Sequence, residues 1–436
     1  MKLKKFFLRS NILSAKYLIL SFLIICPNIS FGLTLMNSVQ EAYLSNPKLN
    51  AERANVKAAS FDKKSALSEF KPSITVSGYI SQQDNEKGSE SNFKPSEQSI
   101  LIEQKIFQGF GGLANLKKEN YDYQISKFNL KKIEQEILLS AIDAHTNVLL
   151  SMEKININSL NVDLLEKQVE TDQARLETGE ITLTDLSQSE ASLAGARAKL
   201  ISAENDLIIS KSNYEKIVGK VLSSEIIEIG EINLSLPNSL LEAYRISKEE
   251  NPDLKIAFLE NEKAKEEVNI ARSDLAPSAT LSYKLSEQDD VSTTVKERKQ
   301  QTLKATATWP LYSGGSNISS LKKSKEIKNQ KELLLIDANK SVNTSVANAW
   351  TNFQLTESVL NSIRLQVKAS EIANEGITLE YESGTSRSTL EVIQSNGILL
   401  SSRIDLAVSK RNFLISKFNL LSAIGRLTAD QLGLKN

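Results

Sequence analysis

The sequence predicts an α+β chain built as two structural repeats, each pairing a strand hairpin with very long, coiled-coil-like helices. Three observations predict it: an internal repeat, paired segments of period two, and two stretches almost free of helix breakers. The repeat returns every 205 or 206 residues. Asn46-Pro47 comes back as Asn251-Pro252 and Pro72-Ser73 as Pro277-Ser278. Asn37-Ser38 and Glu41-Ala42-Tyr43 are matched by Asn238-Ser239 and Glu242-Ala243-Tyr244. Ile209-Ser210-Lys211, Asn213 and Gly219 are matched by Ile415-Ser416-Lys417, Asn419 and Gly425. Units of about 200 residues are far longer than solenoid repeats of roughly 20–50. The chain therefore divides into equivalent halves, 33–232 and 233–436.

Residues 1–32 have the composition of an export signal. Lys2, Lys4, Lys5, Arg9 and Lys16 form a basic start, Tyr17 to Cys26 an apolar run too short to span as a helix, and Ser30-Phe31-Gly32 a small-residue cleavage site. Cys26 follows Ile25 rather than the small residue a lipid-modified start requires. Removing the segment takes five of the 53 basic side chains and the single cysteine, leaving 48 against 53 acids. A mildly acidic, cysteine-free remainder excludes a disulfide scaffold, a cysteine metal site and a nucleic-acid partner.

The expected hairpins are 73–107 and 278–311. In the first, Ile74, Val76 and Ile80 alternate with polar residues, and its second strand sets Ile100, Ile102 and Ile106 opposite Glu103 and Lys105. In the other, Ala279, Leu281, Tyr283 and Leu285 share one face; Leu303, Ala305, Ala307 and Trp309 follow in the return strand. Period two puts one set on each side of a strand. The polar linkers Asp84 to Ser96 and Glu287 to Lys299 read as hairpin loops in water. Runs of about 9–11 residues suit a tilted strand crossing a bilayer, yet a half-buried soluble hairpin shows the same alternation. Four strands cannot close a barrel alone, and open edges are not viable in lipid.

The rest reads as helix. Long helices are expected over 113–178 and 316–383, where Gly376 is the one breaker, with return helices over 184–218 and 388–424. Ile133, Ile137, Leu138, Ile142, Leu149 and Met152 recur at three- and four-residue spacing. About 65 residues at ~1.5 Å each make a rod near 100 Å. The rods end at Thr178-Gly179-Glu180 and Ser383-Gly384-Thr385, where glycine supplies the left-handed residue past a helix end.

Enzyme chemistry finds no footing. The single histidine, His145, lies mid-helix, and Gly109-Phe110-Gly111-Gly112 lacks the lysine of a phosphate loop. Acids are spread along helices as on solvated faces. No catalytic residue, cofactor or metal site is expected.

Taken in order, the signal peptide, Glu41-Ala42-Tyr43 with Asn46-Pro47, the strand end Leu311-Tyr312-Ser313-Gly314-Gly315 and the turn from Tyr381 to Val392 resemble the TolC family of outer-membrane efflux and secretion channels, over nearly the whole chain after residue 32. The resemblance implies a homotrimer in which four strands per chain build one twelve-stranded barrel in outer-membrane lipid. The long helices then form a hollow periplasmic tunnel for efflux of small molecules or type I protein secretion. It further implies a periplasmic adaptor docking at the tips, Gly179 and Gly384, and an inner-membrane transporter of RND or ABC type. Gate residues carried over are Tyr381 and Arg387, with Thr184 and Asp185 as their partners, and Glu391. Two departures stand out: Gly384 and Arg387 are one residue further apart than in the family pattern, and Gln394 replaces an expected acid. The competing class is a soluble periplasmic coiled-coil adaptor, disfavoured by two long helical hairpins; a porin is disfavoured by only four strands.

Overall fold

The computed structural model describes residues 34–82, 94–222, 229, 234–292, 295–383 and 387–434. The leader 1–32 and the turn residue Gly384 lie outside them. The first half runs α1 (Leu35–Ser45), α2 (Pro47–Ser68), β1 (Ser73–Ile80), β2 (Ser96–Gln108), α3 (Gly111–Glu177) and α4 (Leu183–Val218). The second runs α5 (Leu240–Glu250), α6 (Pro252–Ser273), β3 (Ser278–Ser292), β4 (Val295–Thr308), α7 (Ser316–Glu382) and α8 (Thr389–Ala423). Among the described residues no helix is long and apolar enough to cross a membrane.

The four strands form one antiparallel sheet in the order β1-β2-β3-β4. Its register collects the alternating residues into rows. Ile74, Ile102, Tyr283 and Leu303 stand side by side, as do Val76, Ile100 and Leu285 with Gln301. The opposite face carries Thr75, Leu101, Lys284 and Thr302, then Ser77, Ser99, Ser286 and Gln300. One face is thus largely apolar and the other largely polar, with no layer of the described residues covering the apolar side: Ile74, Val76, Ile80 and Leu303 are all exposed.

Two details depart from expectation. The register shifts between Lys105 and Phe107, so that Phe107 rather than Ile106 aligns with Ala279; the extra residue is a bulge that bends the strand where the helix begins. The stretch Glu287 to Lys299, expected as a loop, is mostly strand, because β3 continues to Ser292 and β4 starts at Val295. Its charges pair across the ladder, as Lys299 does with Glu287 at 2.7 Å. Strands wet on both faces do not alternate, so period two was silent there.

Each strand-to-helix junction is a tight left-handed corner. Gly109 has φ +56°, and a Cβ there would lie 2.6 Å from that of Ala276 and 2.9 Å from the Ser273 carbonyl oxygen at the end of α6. Only glycine permits both the dihedral and the approach. From this corner α3 and α7 each run 67 residues, about 100 Å at ~1.5 Å per residue. Gly376 lies within α7 with no interruption.

The main core sits midway along the rods, where α1, α5 and the chain's last turn pack on α3 and α7. Leu35, Val39, Leu138, Ile142, Val148, Val346, Phe418 and Leu427 are buried in it. The Asn-Pro repeat holds it together. The Asn46 side chain caps α2 by accepting from Lys48 and Leu49 N–H, and donates to the Ile217 carbonyl at the end of α4. Asn251 does the same for Leu254 and for the Ala423 carbonyl at the end of α8. Each asparagine thus joins a helix start to a helix end that lie some 170 residues apart in sequence (171 and 172), and proline at the first helical position needs no N–H partner. The Glu-Ala-Tyr match, by contrast, is out of structural register. Those triplets are 201 residues apart (41 to 242), whereas α1 and α5 begin 205 apart (35 to 240). A slip of about one helical turn keeps both Ala42 and Ala243 on the buried face.

His145 is buried here, its Nδ1 2.8 Å from Ser38 Oγ, which lies 2.8 Å from Tyr214 Oη. At matching depth the second half has Ala243, Trp350 and Leu420, so one half fills with a polar triad what the other fills with carbon. His145 Nε2 is buried with no hydrogen-bond partner among the described residues. Burial pushes the imidazole from 6.5 to about 4. Because the unfolded chain binds this proton more readily, stability falls as pH drops from about 6.5 through 4, a loss on the order of 3 kcal/mol. Unfolding midpoints measured from pH 7 to 4.5 should fall more steeply for the native chain than for His145→Gln; parallel profiles would remove His145 as the acid-sensitive group.

Candidate functional site

The far ends of the helical hairpins, α3–α4 and α7–α8, bring together most of the sequence's gate residues. The first turn is closed by Gly179 (φ +77°) in a motif where Glu180 N–H bonds the Arg175 carbonyl and Gly179 N–H that of Leu176. Both return helices start with a reciprocal capping box: Thr182 with Asp185 on α4, and Ser388 with Glu391 on α8. The turn of the second hairpin is strapped by Arg387, whose Nε donates to Glu380 at 2.6 Å and Nη1 to Glu391 at 2.9 Å. The Ser388 N–H first, then Arg387, hold the Glu391 carboxyl below the usual carboxylate range.

Tyr381 is almost fully buried. Its hydroxyl donates to Asp172 Oδ1 at 2.7 Å and contacts Thr389 Oγ1 at 3.1 Å. Asp172 also accepts from Gln168 at 2.9 Å and from Ser189 at 2.5 Å. Arg175, paired with Glu180 at 3.1 Å, lies over the Tyr381 ring, 4.4 Å from its centre. The cluster draws Asp172 and Arg175 from α3, Ser189 from α4, Tyr381 from α7 and Thr389 from α8, so three tip helices meet at one carboxylate and the fourth joins through the Tyr381 hydroxyl. Among the described residues Asp172 is the one acid with no exposed surface. A buried charge is tolerable only when its lone pairs are filled, which three donors accomplish. Burial raises the Tyr381 pKa, keeping the phenol protonated as a donor.

This corrects the expected pairing within the chain. Tyr381 is joined to Asp172, thirteen residues before Asp185, and neither Thr184 nor Asp185 touches it. Asp185 is occupied by its own cap: Thr182 O–H and N–H bond its Oδ2 at 2.7 and 2.9 Å and hold its carboxyl below the usual range. Thr184 is exposed on the first turn of α4. Asp172, Gln168, Arg175, Ser189 and Thr389 are the residues that sequence reading missed. The signal available was small: Asp172 and Tyr381 stand where the repeat carries Ile377 and Leu176, 205 residues away in each case.

An unclosed sheet with one largely apolar face, carried on two helical hairpins whose long arms run about 100 Å, defines a membrane channel component. The comparisons agree. The outer membrane efflux protein family model matches residues 38–220 and 243–426, one match per half. The chain belongs to that family, and it is an outer-membrane protein with its helical tunnel in the periplasm. It is 26% identical over 404 residues to the outer membrane efflux protein BepC of Brucella suis biovar 1, covering 92% of this chain and 87% of BepC. Outer membrane protein TolC of Escherichia coli is 22% identical over 417 residues, covering 92% and 84%. Among solved structures, the outer membrane protein VceC of Vibrio cholerae superposes with a TM-score of 0.79 at 17% identity, covering 90% of this chain and 96% of VceC.

The tip cluster makes a measurable claim. Tyr381→Phe removes one bond to a buried carboxylate and should loosen the ends of α7 and α8 by roughly 1–3 kcal/mol in amide hydrogen exchange. Asp172→Ala strands Ser189 and Tyr381 together and should loosen all four helices more. Unchanged exchange at the tip in both variants would show that the cluster does not hold the hairpins together.

Proposed function

We propose that three copies of this chain assemble into one outer-membrane channel-tunnel, the exit duct for efflux of small molecules or for type I secretion of proteins. The observation that carries this is the sheet: β1 and β4 both end it with an unpaired edge, and its apolar face is bare. An even number of antiparallel strands lets β4 of one copy meet β1 of the next antiparallel, so identical subunits close without a parity conflict. Three copies give twelve strands, and the polar face then lines a water-filled interior. In each copy 33–232 and 233–436 serve as two wall repeats, delivered behind the leader 1–32.

The tips form the gate. Within each copy, the Asp172 cluster and the Arg387 strap keep the two hairpins together. Between copies, Arg387 Nη2, Asp185 Oδ1 and the exposed Thr184 side chain are the groups left to reach a neighbour, since their bonds among the described residues are made by other atoms or are none. A guanidinium donating to a neighbouring carboxylate and hydroxyl ties the copies into a ring. An adaptor docking around Gly179 and Gly384, powered by an inner-membrane pump, splays the tips; the channel itself conducts passively. Glu391 and Gln394 on α8 leave the constriction with fewer carboxylates than the family pattern. Relatives named for efflux and for alkaline protease secretion both match, which supports a duct open to either cargo.

Outer-membrane extracts run without boiling should give a band near three times the 48.3 kDa of the full chain, less the leader, collapsing to monomer on heating. A monomer in soluble periplasmic extract would end the channel reading. Arg387→Ser should raise single-channel conductance in planar bilayers; conductance equal to the native trimer would remove the residue from the gate.

A further inference from the structure

Just below the sheet, α2 and α3 enclose a groove of about 530 Å³ with a basic rim and an apolar floor. Lys63, Lys64 and Lys117 ring it, and Leu67 and Leu116 lie at its base, with Tyr123 at the lower end. No carboxylate lines it among the described residues. Nearby acids are committed elsewhere: Asp122 to Lys118 and Lys263, Glu119 to Lys118, and Glu69 to the Asn115 amide. Lys117 reaches a single acid, Glu266, at 3.8 Å. Lys63 and Lys64 lie instead over aromatic rings, 5.7 Å from the centre of Tyr123 and 4.9 Å from that of Phe61. These are cations held in place by π faces, with no carboxylate partner among the described residues.

The groove's position says what compensates it. Lys64 lies four residues from the end of α2 and Lys117 six from the start of α3, placing their backbones about 6–9 Å along the helices from the ends that meet the sheet. Above the floor an apolar track of Phe70, Leu113 and Phe110, all exposed, climbs to the sheet. Phe110 packs edge-on against Phe107 at 5.3 Å, and Phe107 occupies the sheet's apolar row beside Ala279. The apolar row faces lipid, so the groove opens on the same outer side, at the depth of the periplasmic headgroups.

We propose that this groove binds an anionic glycerophospholipid of the periplasmic leaflet, its phosphates on Lys63, Lys64 and Lys117 and one acyl chain along Leu116, Leu113 and Phe110. The site rests on the outer-membrane reading of the sheet. Three ammonium groups around one anionic headgroup favour it over a zwitterionic one, so retention of phosphatidylglycerol over phosphatidylcholine by at least about tenfold is expected.

The test uses the full-length exported protein, purified in a neutral detergent and mixed with equal phosphatidylglycerol and phosphatidylcholine of identical chains. Native mass spectrometry counts each lipid retained per trimer. The native trimer should prefer phosphatidylglycerol; K63Q/K64Q/K117Q should lose the preference while remaining trimeric, and K63R/K64R/K117R should keep it. Equal retention of the two lipids by the native trimer, or an undiminished preference in the glutamine variant, overturns the proposal. Failure of the trimeric reading shows separately, as a monomer mass in the same spectrum.

Discussion

Backbone hydrogen bonding is the constraint on which the rest of this chain depends. In hydrocarbon an unpaired N–H or C=O costs several kcal/mol, so a four-stranded sheet with free edges at β1 and β4 is unfinished by itself. Its register makes the requirement sharper by gathering Ile74, Ile102, Tyr283 and Leu303 on one side, where Ile74 and Leu303 stay exposed. Two hairpins, rather than one, are needed because each half of the chain supplies two strands and two rods from a common plan. The long helices follow from the strands: each is anchored at a glycine corner and has to carry its partner residues far from the membrane.

The two halves share their wall and differ where chemistry is concentrated. Asn46 and Asn251 perform the same double duty, capping one helix and holding the end of another. By contrast Ser38, His145 and Tyr214 face Ala243, Trp350 and Leu420 across the repeat. At the tip the first half contributes a buried carboxylate, Asp172, and the second half contributes the phenol that fills it, Tyr381. An interaction made between unlike halves fixes how the hairpins sit against each other, which two like surfaces would not do.

The rods, the turn at Gly179 and the strand faces were legible because each is local: backbone breakers and side-chain period act within a few residues. The loop expected at Glu287 to Lys299 failed on the same ground, since strands bathed in water on both faces lose the alternation that marks them. The tip partner was harder. Asp185 follows the turn and invites pairing with the second hairpin, but its carboxylate is satisfied three residues back by Thr182. Asp172 looks like any acid on a solvated helix until α4, α7 and α8 close over it.

The sequence by itself determined the elements and their order, because helix breakers, caps and period-two alternation are written into neighbouring residues. It also determined that the strands were too few to stand alone. Only the tertiary structure decided which face of each strand joined a continuous apolar row, which acid received Tyr381, and which lysines gathered around one groove below the sheet. Those outcomes depend on pairing register and on groups that lie up to about 200 residues apart in sequence, 209 in the case of Tyr381 and Asp172. Desolvation and hydrogen-bond satisfaction act on distance in space, and distance in space is set only once the rods have packed.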